Sequence, residues 1–248
     1  MFLLPLFQAA AQMPDAKGIV EKGRDLTLTG SMSSNVLLTI IEKGGSVRKR
    51  TISMITKSYQ DGTEKRMIKF IEPADVRGTA VLIIDDKNTP DDMWVYLPAL
   101  KKTRRIVSSE KGKSFMSSEF SNADMSSPAI SDFTDIHMPA SGENSQWIIE
   151  STPVNSDKAD EYGYSKKISF FNSDNLQLKK MEYYNFENQL FKVIEVKSVQ
   201  PVEGGHYIIR NMKANNISTG RSSEIFFERI ITNSKTDDSV FSLQNLER

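Results

Sequence analysis

The chain has 248 residues, and its 32 Lys and Arg balance 32 Asp and Glu, which argues against a nucleic-acid-binding protein held by bulk electrostatics. It contains no cysteine, which excludes disulfides, thiol catalysis and cysteine-ligated metals within this sequence. A hydrophobic fraction of 38%, with 13 Phe, 7 Tyr and 2 Trp, can supply a core and excludes wholesale disorder.

The first residues indicate a targeting signal. Residues 1–11 combine a short apolar run with small residues before Ala11, which resembles the end of a secretory signal peptide. The run is short and no basic segment precedes it, so a frayed apolar N-terminus is the alternative. We expect a signal-peptide remnant at 1–11 and a single domain over 12–248, without a stretch long enough for a transmembrane helix.

Strand patterns dominate the rest of the chain. Pro14 and Gly23 delimit one short helix, predicted over 14–22. Runs rich in Ile, Val, Phe, Tyr and Thr, bounded by Gly, Asn, Asp and Pro, then predict many strands connected by hairpin turns. The predicted strands are 32–43, 46–57, 63–71, 79–85, 93–97, 103–107, 145–151, 163–172, 176–185, 189–199, 206–214 and 222–232. Without intervening helices, they favour a large antiparallel sheet, either a sandwich or a barrel.

Two features indicate what the sheet encloses. Residues 108–144 lack a strand pattern, and so long an irregular stretch is typical of a lid or binding loop, although a functionless surface excursion is the alternative. Several strands carry bulky apolar neighbours, such as Phe170 and Phe171, whose side chains must point to opposite faces. Both faces of the sheet are therefore expected to be covered, the second one by helices, another sheet or a ligand. Ordinary burial of both faces, without a ligand, is the alternative interpretation.

No pattern of catalytic or metal-binding residues is present. The two histidines, His137 and His206, lack metal-ligand spacing, and no nucleophile is accompanied by a base, so we expect no enzyme, metal or cofactor. The densest charge cluster is a basic run without interleaved aromatic residues, which argues against nucleic-acid binding. It leaves open a docking site for an acidic partner or anionic lipid headgroups. The candidate docking residues are Lys101, Lys102, Arg104 and Arg105.

Four segments carry a family resemblance. Residues 71–80 read IEPADVRGTA, 93–106 read MWVYLPALKKTRRI, 113–125 read KSFMSSEFSNADM, and 238–243 read DSVFSL. Together they resemble the LolA-like outer-membrane lipoprotein-sorting family, most closely the branch associated with RND-superfamily exporters. The resemblance extends over most of residues 13–248.

This resemblance implies a mainly β fold: an incomplete, strongly curved antiparallel β-barrel with short lid helices over a hydrophobic cavity. It implies a periplasmic carrier of a Gram-negative bacterium, most simply a monomer, that shelters acyl chains of lipoproteins or lipids. Such a carrier passes its cargo toward the outer membrane with an inner-membrane transporter of RND or ABC type, and touches membranes only transiently. The alternative is a periplasmic sensor or accessory module that binds a lipidated or protein partner without transport.

Cavity and lid residues are chosen within that frame. Methionine thioethers repack easily around flexible ligands. Trp94 and Tyr96 share one strand face, and three phenylalanines lie within the irregular stretch 108–144. The expected ligand-binding residues are Met54, Trp94, Tyr96, Phe115, Met116, Phe120 and Phe133.

Overall fold

The computed structural model describes residues 14–86, 91–139 and 145–247. The prediction for residues 1–11 lies outside these ranges. The predicted first helix is confirmed as α1 (Ala16–Asp25) and begins where the Asp15 side chain accepts the Gly18 N–H at 3.3 Å. A side-chain acceptor at this position satisfies one of the free N–H groups of the first turn.

Thirteen strands of the described chain form one antiparallel sheet, and they include all twelve predicted strands. They are β1 (Ser31–Ile41), β2 (Val47–Ser58), β3 (Glu64–Glu72), β4 (Ala80–Asp85), β5 (Asp92–Leu97), β6 (Lys102–Arg105), β7 (Phe133–His137), β8 (Gln146–Pro153), β9 (Lys166–Asn172), β10 (Leu178–Tyr184), β11 (Leu190–Pro201), β12 (Tyr207–Asn216) and β13 (Ser222–Thr232). The prediction that all of 108–144 is irregular is wrong at β7. Asp135 and His137 lie on the half-buried side of this short strand. Because these positions are polar, the sequence lacks the alternation of apolar and polar residues that predicts a strand.

The sheet consists of two meanders joined at the centre. Its order is β6-β5-β4-β3-β2-β1-β13-β12-β11-β10-β9-β8-β7, so the pairing of β1 with β13 connects the first and last strands. The two edges, β6 and β7, are not paired with each other. The result is a mainly β, curved and incomplete antiparallel barrel, which confirms the fold that the family resemblance implied.

The segment between the two edge strands, residues 106–132, crosses the inner face of the sheet. We call it the crossing segment. It contains α2 (Ser108–Lys111) and α3 (Asn122–Met125), and its Phe115, Phe120 and Ala123 belong to the main core with apolar residues of both meanders. These are the predicted short lid helices.

Other elements cover the rest of the sheet. On the outer face, residues of β3, β4 and β5 pack against the C-terminal segment, which contains Phe241 and α5 (Leu243–Leu246). On the inner face, α1 packs against Ile149 of β8 and Phe171 of β9. Bulky apolar residues therefore occur on both faces because protein covers both.

The gap between the sheet edges is closed by contact between α2 and α4 (Ser156–Tyr162), the helix that precedes β9. The Lys111 side chain is buried there and forms ion pairs with Asp91 and, at 2.7 Å, with Glu161. Next to it the backbones of Gly112 and Gly163 touch, since a Cβ on Gly112 would lie 3.0 Å from the Gly163 Cα. Close approach of backbones requires glycine at this point.

We therefore expect Gly112→Ala to lower the free energy of unfolding by about 1–3 kcal/mol, because the added methyl group must push two backbones apart. Chemical denaturation of the purified protein measures this loss. The matched control is Gly44→Ala, where a Cβ meets no atom within 4 Å, and a change of at most about 0.5 kcal/mol is expected. Equal stabilities of the two variants would contradict the described closure.

Candidate functional site

A cavity of about 370 Å³ lies between the inner face of the sheet, α1 and the crossing segment. This volume is within the range of about 300–1,000 Å³ that is typical of small-molecule sites. Its wall is predominantly apolar and draws on both meanders. Aliphatic and aromatic strand residues of the wall include Val36, Leu38, Ile52, Met54, Ile68, Ile194, Ile208, Ile225 and Phe227.

The crossing segment is folded so that its aromatic residues point into the barrel. The Phe115 N–H donates to the Phe120 carbonyl at 2.7 Å, and the Ser118 hydroxyl donates to the Phe115 carbonyl at 2.7 Å. This tight turn places both phenylalanine rings on one side, and each is at most 2% exposed. The Phe115 ring packs 6.2 Å from the Phe70 ring of β3, so the lid is anchored to the sheet by aromatic contact.

Arginine side chains hold the crossing segment by its backbone. Their guanidinium groups donate to four of its carbonyls: Arg24 to Pro128 at 3.1 Å, Arg50 to Met116, Arg66 to Met125 at 2.7 Å, and Arg221 to Ser117 at 3.1 Å. Carbonyls of irregular buried segments need such donors because they have no strand or helix partner. The crossing segment is therefore fixed to α1, β2 and β3, and also to the turn before β13.

The Arg66 side chain is part of a buried charge cluster. It pairs with Glu64 and, at 3.0 Å, with Asp85, whose side chain is fully buried. Burial raises the pKa of the Asp85 carboxyl above its usual range, and the nearby Arg66 charge opposes that rise. Arg66 also contacts the Ser127 hydroxyl at 3.3 Å, so this cluster connects sheet and lid.

A second polar group lies in the cavity wall on the other meander. Lys167 of β9, Ser151 of β8 and Asp135 of β7 all line the cavity. The Ser151 hydroxyl donates to one Asp135 oxygen at 2.6 Å. Burial lowers the pKa of Lys167 because the ammonium loses hydration.

The structure brings four of the predicted ligand-binding residues together. Met54, Phe115, Phe120 and Phe133 line the cavity. Met116 packs against the same core from the crossing segment but is not part of the cavity wall.

Trp94 and Tyr96 lie elsewhere, and the expectation that they line the cavity is corrected. Both pack in the outer cluster around Phe241 and Leu246, while their strand neighbours Met93 and Val95 belong to the main core. Alternation along β5 does put the two aromatic residues on one face, but that face is covered by the C-terminal segment.

The predicted docking residues lie at the sheet edge. Lys101 occupies the turn between β5 and β6 with φ 47°, beside Leu100, which is 68% exposed. Lys102, Arg104 and Arg105 are exposed residues of β6, and the two arginines pair with Glu110 and Asp92. Charged side chains on an edge strand also prevent pairing with other sheets, which is a structural role for the same residues.

Sequence reasoning missed the charged residues of the cavity wall, including its three cations, Arg24, Arg66 and Lys167. The signal was present in the alternation, since Arg66 shares a strand face with Ile68, and Lys167 shares one with Phe171. A cation on the apolar face of a strand indicates a buried polar contact.

The part of the chain that the structure describes contains no metal-binding cluster. Among residues 14–86, 91–139 and 145–247, no group of three or more His, Asp or Glu side chains is arranged to hold a metal ion. Over the same ranges, none of the helices combines the length and apolar character that a membrane span requires.

Comparison with known proteins finds relatives with this architecture. A family model described only as "uncharacterized protein" matches residues 62–248, whereas no curated protein matches the sequence. A domain from Vibrio parahaemolyticus described as an outer membrane lipoprotein-sorting protein domain is 23% identical. It superimposes with a TM-score of 0.85 over 94% of this chain and 98% of its own.

Two further solved structures are similar over nearly their whole lengths. A DUF1329 family protein from Desulfovibrio piger is 26% identical, with a TM-score of 0.82 over 93% of this chain and 97% of its own. A LolA superfamily protein from Nitrosomonas europaea is 17% identical, with a TM-score of 0.72 over 94% and 99%. These structures share the fold described above.

Proposed function

The chain belongs to the LolA-like family, and we propose that it is a non-enzymatic periplasmic carrier that shelters acyl chains of lipoproteins or lipids. The observation that carries this proposal is the apolar cavity of about 370 Å³ beneath an anchored lid. Each buried methylene contributes about 0.8 kcal/mol, so ten sheltered methylenes contribute roughly 8 kcal/mol. That is enough to compete with a membrane for a single chain.

The residues assigned to the acyl chain are those that line the cavity among the predicted set: Met54, Phe115, Phe120 and Phe133. Met54 and Phe133 come from the sheet, and Phe115 and Phe120 come from the crossing segment, so both sides of the cavity contribute to the assigned set. Methionine and aromatic surfaces accommodate chains of differing length because a thioether repacks and an aromatic ring offers a broad apolar face.

Transfer toward the outer membrane requires a partner that loads the carrier. We propose that a membrane transporter, of RND or ABC type, docks at the β5–β6 hairpin through Lys101, Lys102, Arg104 and Arg105. Support comes from the two lysines, which have no ion pair among the described residues, and from the exposed Leu100 between them and β5. The carrier works as a monomer and touches membranes only transiently.

Binding of a fluorescent fatty acid to the purified chain tests the carrier proposal, together with native mass spectrometry for co-purifying lipid. Ser169 of β9 is buried and lines the cavity, so Ser169→Phe fills the space and is expected to weaken probe binding at least tenfold. The matched control is Ser53→Phe, which places the same ring on the outer face of β2 beside Val240.

Wild-type protein that binds no probe and carries no lipid would contradict the proposal and favour a sensor or accessory module that recognises a protein partner. Probe binding that is equally strong in both variants would contradict the assignment of the cavity.

A further inference from the structure

A row of polar side chains crosses the inner face of the second meander. Asp135 on β7 pairs with Ser151 on β8, and Ser151 pairs with Lys167 on β9. The row continues through Tyr183 on β10 to Lys192 on β11. Residues paired in this way project from the same face, and the first four all line the cavity. The row therefore interrupts the predominantly apolar wall that the second meander contributes.

Lys167 is the residue of this row without a partner of its own. Within the described part of the chain its ammonium forms no ion pair or hydrogen bond, and Nζ lies over the Phe133 ring, 5.4 Å from the ring centroid. Burial lowers the pKa of Lys167, and Lys192 and Arg24 lower it further by repulsion, while Asp135 and Asp124 oppose them. The side chain is half-buried and faces the cavity, and an ammonium that loses hydration without gaining a hydrogen-bond acceptor is costly, so this arrangement requires an explanation.

Arg24 supplies a second cation to the same space. It is the penultimate residue of α1, lines the cavity, and donates through Nη1 to the Pro128 carbonyl at 3.1 Å. Its other guanidinium N–H groups have no partner among the described residues. Two cations with unused donors thus share one apolar cavity.

The anions nearby do not neutralise these two cations. Asp124 forms its ion pair with Lys192 at 2.6 Å. Asp135 accepts the Ser151 hydroxyl with one oxygen, and its other oxygen is buried without a hydrogen-bond partner in the described chain. The cluster thus consists of three cations (Lys167, Arg24 and Lys192) and two anions (Asp124 and Asp135). It therefore has one uncompensated positive charge.

We propose that Lys167 and Arg24 bind the head of a single-chain amphiphile that carries one negative charge, a carboxylate or a phosphodiester, whose acyl tail fills the apolar part of the cavity. This inference rests on the carrier function proposed above and specifies the chemistry of the cargo. The head accepts hydrogen bonds from the Lys167 ammonium and the free guanidinium donors of Arg24, and its charge balances the cluster. Charge-assisted hydrogen bonds of this kind are among the stronger ones in proteins.

Asp135 limits which heads fit. Its carboxylate lies on the same row as Lys167 and keeps the excess charge of the cluster at one, so a phosphate monoester with about −1.5 to −2 charges is disfavoured. The free Asp135 oxygen can accept a hydrogen bond from a head-group hydroxyl, such as that of a glycerol phosphodiester.

Three amphiphiles with the same tail test the proposal: palmitate, 1-palmitoyl-lysophosphatidylglycerol and neutral 1-monopalmitoylglycerol, each titrated below its micelle concentration. Lys167→Met keeps the length of the side chain and removes its charge. We expect it to weaken binding of the charged ligands about tenfold or more and to leave monopalmitoylglycerol within about twofold. The control is Lys166→Met on the same strand, whose ammonium pairs with Glu150 at 2.9 Å outside the cavity wall, and which should bind all three ligands as wild type does.

The pattern of losses identifies the source of the charge. A loss confined to palmitate indicates free fatty acid, and a loss confined to the lysophospholipid indicates a phosphodiester head. Equal affinity of wild type and Lys167→Met for both charged ligands, or equal losses for charged and neutral ligands, would overturn the anchor and leave the carrier function standing. If wild-type protein binds none of the three, both proposals fail.

Discussion

Replacing Arg66 with methionine is expected to lower the free energy of unfolding by about 3–5 kcal/mol, because it leaves two buried carboxylates without their cation. Glu64 and Asp85 are 8% and 0% exposed at their side chains, so water does not replace the lost partner. The variant also loses the donor to the Met125 carbonyl, which releases one end of α3. Urea denaturation measures the first effect, and faster amide hydrogen exchange over residues 122–127 reports the second.

The loss in Arg66→Met depends on pH in a defined direction. Burial already raises the pKa of the Asp85 carboxyl, and removing Arg66 raises it further, so the folded variant binds a proton that the unfolded chain releases at about pH 4. A carboxyl whose folded pKa is raised favours the folded state at low pH, and that contribution is lost as pH rises through the folded pKa. The variant is therefore expected to be closer to wild type at pH 5 than at pH 8.

The matched control for this variant is Arg48→Met. Arg48 pairs with Glu42 at 2.6 Å, but its side chain is 52% exposed, so the expected loss is at most about 1 kcal/mol at either pH. An Arg66→Met protein as stable as Arg48→Met would mean that the buried cluster does not hold the lid to the sheet.

The strands were predictable because their signals are local. Each run alternates apolar and polar residues or is rich in β-branched residues. Glycines such as Gly45 and Gly62, with φ of 84° and 86°, lie in the turns of the first two hairpins. β7 was not predicted because it has only five residues and pairs with β8 alone, so its sequence shows little alternation of apolar and polar residues.

The wall of the cavity was only half predictable, because the face of a strand is decided by partners far along the chain. Trp94 and Tyr96 share a face in any reading of β5, but that face became the outer one when Phe241 and Leu246 packed on it. The crossing segment, by contrast, is irregular, so its apolar residues do not alternate between two sheet faces and the question of which face is buried does not arise. Phe115 and Phe120 of this segment pack into the main core, whereas Phe133, also expected at the lid, begins β7; their contact with a ligand stays a prediction.

Charged residues of the interior follow a different rule. A cation in a strand is ordinarily taken as a solvent-facing residue, yet Arg66 and Lys167 both point inward. Arg66 donates a hydrogen bond to the Met125 carbonyl of the crossing segment, and Lys167 lines the cavity. Their positions depend on tertiary structure, and such exceptions to local patterns are typical of functional sites.

Phe115→Ala is expected to lower the free energy of unfolding by about 3–5 kcal/mol, since Phe115 is 2% exposed and packs on Phe70. The lost ring also borders the cavity, so the variant leaves room that an acyl chain can occupy. We therefore expect palmitate to raise the thermal midpoint of Phe115→Ala more than that of wild type, because a ligand stabilises the state that binds it more tightly.

Phe241→Ala separates that effect from general destabilisation. Phe241 is 6% exposed and belongs to the outer cluster, so its removal also weakens the fold but opens no space toward the ligand. Its thermal midpoint should rise with palmitate by the wild-type amount. If palmitate shifts Phe115→Ala no more than Phe241→Ala, the crossing segment covers the cavity without contacting the chain, and the ligand contact falls to the sheet residues alone. If the shift is larger, the crossing segment is part of the surface that contacts the acyl chain.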